Sequence, residues 1–138
     1  MTTQRYVLGT VVGGLVLFFL GYLIYGIVFA GFFAANAGSA TGVTRESLNF
    51  VALGIGQLAW GAALTVILGW SRASSAGEGA KVGAAVGLLV FLGFDLTLYA
   101  TTNTQNLAAS LVDAILATVL FAISSAAIIS VWGKKATA

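Results

Sequence analysis

The chain has 138 residues, of which 59% are hydrophobic and 7% are charged, and its formal net charge is +2. A soluble domain carries about 25% charged residues, so a water-soluble fold could not cover this much apolar surface, and we expect lipid around it. The sequence contains no Cys and no His, which excludes disulfides, a cysteine nucleophile and histidine metal ligands. With no basic stripe, no phosphate-binding loop and no nucleophile–base pair, we expect no nucleic-acid partner, metal, cofactor or enzymatic activity.

Four apolar segments are long enough to cross a bilayer, which takes about 20 residues per helix. They comprise residues 6–29, 48–70, 82–101 and 107–132. Nothing between them suggests a separate soluble domain. The sequence therefore predicts an all-α membrane protein, a four-transmembrane-helix bundle that forms one transmembrane domain over residues 1–138.

The basic residues predict the orientation of these segments. With four crossings, both termini and the second link lie on one side of the membrane, and that side holds five of the six basic residues: Arg5, Arg72, Lys81, Lys134 and Lys135. Arg45 alone lies on the opposite side. Because Lys and Arg are retained in the cytoplasm, we expect both termini to be cytoplasmic.

Small residues at four-residue spacing predict how the helices pack. Lipid tails are as apolar as leucine, so close backbone contact has to hold membrane helices together. Gly79, Gly83 and Gly87 form such a stripe at the start of the third segment, and Gly61 and Gly69 lie on one face of the second. These faces outnumber what four helices need, which favours a homo-oligomer or a membrane-protein partner.

The first segment also allows a different interpretation. Its aromatic residues Tyr22, Tyr25 and Phe29 could line a groove for a lipid or a cofactor. Helix packing is the commoner role of such residues in a membrane segment, so both interpretations stay open and we predict no cofactor.

Two acids interrupt the last two apolar segments. Asp95 and Asp113 lie nine residues before and nine residues after Thr104, at the centre of the turn between the segments. An antiparallel hairpin would therefore bring them to one depth, about 8–10 Å below the outer boundary at 1.5 Å per residue. An acid in hydrocarbon costs ~2.5–3.5 kcal/mol on insertion scales, so each of them needs a partner. Thr97 and Asn103 are the nearest candidates.

The acid pair has two interpretations. It could be structural, satisfied by neighbouring polar groups and joining two helices. It could instead form a proton, cation or polar-ligand site made of Asp95, Asp113, Thr97 and Asn103, since an ionisable residue inside a membrane is a functional candidate by default. Arg45 is the one basic residue that could fold over the hairpin and pair with either acid.

The hairpin resembles a family of small bacterial membrane proteins of unknown function. The resemblance is carried by Gly83-x3-Gly87-Leu88, Gly93-Phe94-Asp95-Leu96-Thr97, Ala100-Thr101 and Leu111-Val112-Asp113. It implies four spans, a bacterial plasma membrane and an acid pair that belongs to the hairpin, but no activity. The first half departs from that family, whose first span carries an acid followed by Trp, and residues 21–26 look more like a neighbouring family.

Two functions from different classes follow from these features. The first is a compact assembly protein, homo-oligomeric or bound to a membrane partner. The second is a small proton- or cation-coupled carrier or channel in which Asp95 and Asp113 titrate. A pocket touching either acid would favour the carrier, whereas acids in a dry contact and a subunit interface along a glycine stripe would favour assembly. A membrane enzyme has only the two carboxylates to support it.

Overall fold

The computed structural model describes residues 1–133, and this part of the chain is built of helices. Helix α1 (Thr3–Gly21) continues into a π-helix (Tyr22–Val28), and a short helix α2 (Ala30–Ala35) follows it; the remaining helices are α3 (Phe50–Trp70), α4 (Ala76–Thr101) and α5 (Leu107–Trp132). Four helical spans are long and apolar enough to cross a membrane. The all-α class is confirmed. Lys134 and Lys135, which supported the predicted orientation, lie outside the described residues.

Polar residues set where the long helices begin. Each is preceded by a side chain that accepts a hydrogen bond from a backbone N–H three positions on: Thr2, Asn49, Ser75 and Asn106. The cap at Ser75 explains why α4 begins at Ala76, six residues before the predicted start. The carboxylate of Glu78 accepts a bond from the Ser74 N–H at 2.7 Å, which completes a reciprocal cap and makes part of the expected link helical.

The helices form two antiparallel pairs that α1 and α5 join. Helix α4 packs along α5, α3 packs along α1, and α1 also packs against α5. At one end of the bundle the Arg5 guanidinium donates to the Trp132 carbonyl at 3.1 Å, and the Trp132 indole N–H donates to the Arg5 carbonyl at 2.8 Å. The start of α1 and the end of α5 therefore lie together. We call the opposite end, which holds residues 36–49 and 102–106, the turn end.

The glycine stripe of α4 lies against α5. Gly79, Gly83 and Gly87 are all buried. A Cβ atom at Gly87 would lie 2.5 Å from the carbonyl oxygen of Ala117 and 2.9 Å from the Cβ of Phe121. The two backbones therefore approach closely, as interfaces built on small residues allow.

The glycines of α3 differ from one another. A Cβ atom at Gly61 would lie 2.5 Å from the backbone nitrogen of Gly14 and 2.5 Å from the carbonyl oxygen of Thr10, so α3 and α1 touch there. Gly69 is exposed, and its nearest neighbour is the sulfur of Met1 at 3.1 Å. The stripe thus serves α1–α3 packing at Gly61, whereas Gly69 lies at its exposed end.

The buried core surrounds α5. It contains large side chains from α1, α3 and α5, among them Leu17, Leu64, Leu68, Phe121 and Ile128. The hydroxyl of Ser124 adds a buried hydrogen bond to the Gly13 carbonyl at 3.1 Å. An interhelical bond of this kind is one of the interactions that hold helices together in lipid.

Gly87→Ala should destabilise the protein, because its new methyl group meets the α5 backbone. Overpacking of this kind costs about 1–3 kcal/mol. Gly93→Ala is the matched control, since it lies in the same helix with nothing within 4 Å of its Cβ position. Denaturant titration in detergent measures both. Equal unfolding midpoints for the two variants would contradict the close contact between α4 and α5.

Candidate functional site

A π-helix shapes the end of the first span. Residues Tyr22–Val28 form it, and the N–H of Phe29 donates to the carbonyl of Ile24, five residues back, at 2.7 Å. Such segments are rare and frequently occur at functional sites. Here it carries Tyr22 and Tyr25, which line a cavity, while Phe29 lies outside the lining. The groove predicted from these aromatic residues is present in part.

The cavity has a volume of about 570 Å³ and lies towards the turn end of the bundle. Residues of all four spans line it. Its size is within the range of about 300–1,000 Å³ typical of small-molecule sites. Its lining is mostly apolar, and its polar members are Tyr22, Tyr25, Gln57, Gln105 and Asp113. A largely apolar cavity with a few convergent polar groups is the usual form of a binding site.

The structure brings the two acids together. Asp95 of α4 is 1% exposed, and its carboxyl interacts with the carboxyl of Asp113 from α5. Asp113 is half-buried and lines the cavity, whereas Asp95 does not. Asp113 therefore belongs both to the cavity wall and to the acid pair, and Asp95 is the inner member of the pair.

Gln105 supports the inner acid. Its side-chain amide donates to Asp95 Oδ1 at 3.3 Å and to the hydroxyl of buried Ser110 at 2.8 Å. The second oxygen, Asp95 Oδ2, is buried and has no hydrogen-bond donor among the described residues. An ionised carboxylate only accepts hydrogen bonds, so Oδ2 can be satisfied through Asp113 only if one of the two acids carries a proton.

Tyr25 approaches the pair from the first span. Its hydroxyl interacts with Asp113 and lies within the electrostatic influence of both acids. Tyr25 belongs to the π-helix, so this segment of the first span takes part in the site.

The first link, residues 36–49 between α2 and α3, holds Gln105 in place. Three backbone hydrogen bonds of 2.9–3.1 Å join residues 36–40 to residues 103–106, and the side-chain amide of Asn106 donates to Asn36 Oδ1 at 2.9 Å. Ala37 and Gln105 form an antiparallel bridge within this contact. The long link thus lies across the hairpin turn and fixes the residue that reaches back to Asp95.

The other predicted members of the site lie elsewhere. Thr97 is exposed and its hydroxyl donates to the Gly93 carbonyl of its own helix at 2.7 Å. Asn103 is exposed, and its carbonyl accepts from the Ala40 N–H. Neither lines the cavity. Arg45 is exposed on the first link, and no salt bridge joins it to either acid within the described residues.

Sequence reasoning missed Gln105, although a signal for it exists. In the 102–106 link it is the longest side chain with a hydrogen-bond donor, and so the best able to reach back into the helices. Residues 1–133 contain no group of three or more acids, histidines or cysteines that could hold a metal ion. Two acids, one amide and one phenol can exchange a proton or hold a cationic group.

Comparison of the chain with family models, curated proteins and solved structures finds no match. The likeness of the hairpin to a family of small bacterial membrane proteins therefore rests on its motifs alone. We base the functional assignment on the cavity and on the acid pair behind it.

Gln105→Leu should destabilise the protein by about 1–3 kcal/mol, because it leaves the buried Asp95 carboxyl without its amide donor. The loss should be smaller in an Asp95→Asn background, with a coupling free energy of about 0.5–3 kcal/mol between the two positions. Denaturant titration of the two single variants and the double variant gives this coupling.

Asn103→Leu is the control for the Gln105 series. It changes an exposed side chain of the same link and should alter the stability by no more than about 0.5 kcal/mol. If Gln105→Leu costs the same with Asp95 and with Asn at that position, the amide does not act through the acid.

Proposed function

We propose that this protein is a small proton- or cation-coupled carrier that binds its ligand in the cavity and exchanges protons at Asp95 and Asp113. One observation carries the proposal: the cavity of about 570 Å³ includes Asp113 in its wall, and Asp113 interacts with the buried Asp95. A purely structural acid pair would need no cavity beside it. An intramembrane acid that faces a cavity marks a ligand or ion pathway.

The chemistry of the pair supports coupling. Two adjacent carboxylates in an apolar site favour sharing one proton over carrying two charges. A cation at Asp113 would supply the missing positive charge and release that proton. Ligand and proton then compete for one negative site, and each weakens the binding of the other by the same factor.

The two acids take different roles in this proposal. Asp113 is half-buried in the cavity wall and meets the ligand. Asp95 is 1% exposed and accepts a hydrogen bond from Gln105. The titratable group that faces it from α5 is Asp113. Asp95 thus keeps or returns the proton, while Asp113 alternates between the proton and the ligand.

Assembly is the second candidate function. Gly54 of α3 and Gly93 of α4 have nothing within 4 Å of their Cβ positions, and Phe94 beside Gly93 is 59% exposed. These faces suit lipid or a second membrane protein. However, Gly61 and the stripe of α4 already make contacts within the chain, which removes the main reason for expecting a homo-oligomer.

We infer a bacterial plasma membrane from the resemblance of the hairpin motifs, and the distribution of charge supports cytoplasmic termini. Arg5, Arg72 and Lys81 lie near the start of α1 and the start of α4, at one end of the bundle, while Arg45 belongs to the turn end. By the positive-inside rule the turn end then faces outward. The cavity would receive its ligand nearer the outer face.

Proteoliposomes test the carrier. An acid pulse outside vesicles that hold a pH-sensitive dye, with K⁺ on both sides and valinomycin to balance the charge, should acidify the lumen faster when the protein is present. Asp95→Asn and Asp113→Asn should each slow this flux roughly tenfold or more, because each removes one member of the titrating pair. Glu78→Gln, an exposed acid at the other end of α4, is the matched control and should keep the wild-type rate.

Size-exclusion profiles and unfolding midpoints show whether each variant is folded. A wild-type rate equal to that of empty vesicles, or a folded Asp95→Asn variant with the wild-type rate, would overturn the proton-exchange role of the pair.

Single cysteines test the orientation, since the chain has none of its own. In intact cells, Thr41→Cys on the first link should react with a membrane-impermeant maleimide, whereas Gly77→Cys at the start of α4 should react only after the membrane is opened. Both positions are exposed. The reverse pattern would place the termini outside the cell.

A further inference from the structure

The charge of the cavity wall is negative only. Asp113 is its single charged side chain, and none of the basic residues in the described part of the chain lines it. The remaining polar groups are two phenols and two amides. An anionic ligand would lie beside a carboxylate with no basic partner, whereas a cationic group would meet the charge that it needs.

The inner wall is aromatic. Trp60, Phe91 and Phe121 come from three different helices, and their ring centroids lie 5.3–5.6 Å apart in tilted and edge-to-face arrangements. All three line the cavity. Aromatic faces attract cations, tryptophan most strongly, and the attraction grows when water is excluded. The same rings offer an apolar surface to the body of a ligand.

The number of oxygen ligands at the cavity argues against a metal ion. A hard cation such as Ca²⁺ takes 6–8 oxygen ligands. Asp95 does not line the cavity, and Asp113, Gln105 and Tyr25, which do, offer four side-chain oxygens. Residues 1–133 hold no group of three or more acids, histidines or cysteines for a metal ion. A quaternary or protonated amine needs only a counter-charge and apolar walls. The exposed side chains Tyr22, Leu48 and Leu53 lie at the rim of the cavity and suit the passage of a partly apolar molecule.

We propose that the cavity binds an organic cation with an aromatic or apolar body. The carboxylate of Asp113 holds the cationic group, and the rings of Trp60, Phe91 and Phe121 hold the body. This inference rests on the cavity of the proposed carrier and names the chemical class of its ligand. It does not depend on transport itself.

Protons should oppose this ligand. The titratable groups that face Asp113 are Asp95 from α4 and Tyr25 from the π-helix, and no basic group of the described chain faces it. In acid the pair gains protons and loses negative charge, so affinity for the cation should fall as the pH falls. At a pH where the pair holds a proton, cation binding should release protons to the solvent.

Calorimetric titration of the purified full-length protein in an uncharged detergent tests the inference. The probe is benzyltrimethylammonium, and benzenesulfonate is the control of similar size and opposite charge. We expect binding of the cation, a loss of roughly tenfold or more with Asp113→Asn, and a loss of about 2- to 30-fold with Trp60→Leu from the missing cation–π contact. Glu78→Gln should bind as the wild type does.

Two further readouts keep the test independent of folding. Trp60→Phe retains a ring and should recover part of the affinity lost in Trp60→Leu, which a general packing defect would not produce. In weak buffer, the cation should release up to about one proton per molecule bound, since ligand and proton share one site. Benzenesulfonate binding as tightly as the cation, or a folded Asp113→Asn variant with wild-type affinity, overturns the ligand class.

The two proposals can fail separately. Proton flux in vesicles without cation binding in detergent overturns the ligand class and leaves the carrier. Cation binding with proton release but without flux in vesicles supports the ligand class and overturns the carrier.

Discussion

The structure depends on how a carboxylate is accommodated inside an apolar hairpin. Asp95 is buried and receives one amide hydrogen bond, from Gln105. A lone charge there would be costly, and the carboxyl of a second acid, Asp113, interacts with it. Three further elements meet at the pair: the hairpin turn carries the amide, the first link secures the turn, and the π-helix adds Tyr25.

The cavity combines a mostly apolar wall with one charged side chain. All four spans provide its aromatic rings, while Asp113 provides its charge. Asp113 lines the cavity, whereas Asp95 lies behind it and does not. In the proposed carrier, this separation gives Asp113 the binding role and Asp95 the role of holding the proton.

Much of the architecture follows from sequence periodicity and symmetry. The four spans are visible as apolar runs, and the equal distances of Asp95 and Asp113 from the turn predict that they meet. Helix α4 begins at Ala76, before the apolar run that starts at residue 82, because Ser75 and Glu78 form a cap. A capping signature outweighs the local composition in such cases.

The supporting partners of the pair were harder to predict. Thr97 is near Asp95 in sequence, but a threonine in a helix satisfies itself on the carbonyl four residues back, as Thr97 does at Gly93. The π-helix leaves no periodic signal in the sequence, so the orientation of the Tyr25 side chain could not be predicted from it. The path of the first link over the turn depends on backbone hydrogen bonds, which side-chain patterns do not encode.

The packing of α4 also sets the direction of its acid. Gly79, Gly83, Gly87, Phe91 and Asp95 follow one another at intervals of four residues, in a row that winds gradually around the helix. Each of them meets α5. The glycine row is the part of the α4 surface without side chains, so α5 can approach the α4 backbone closely only on that side. The contacts of the three glycines with α5 thus set the rotation of α4 about its own axis. Asp95 faces its partner because of contacts made two turns or more away.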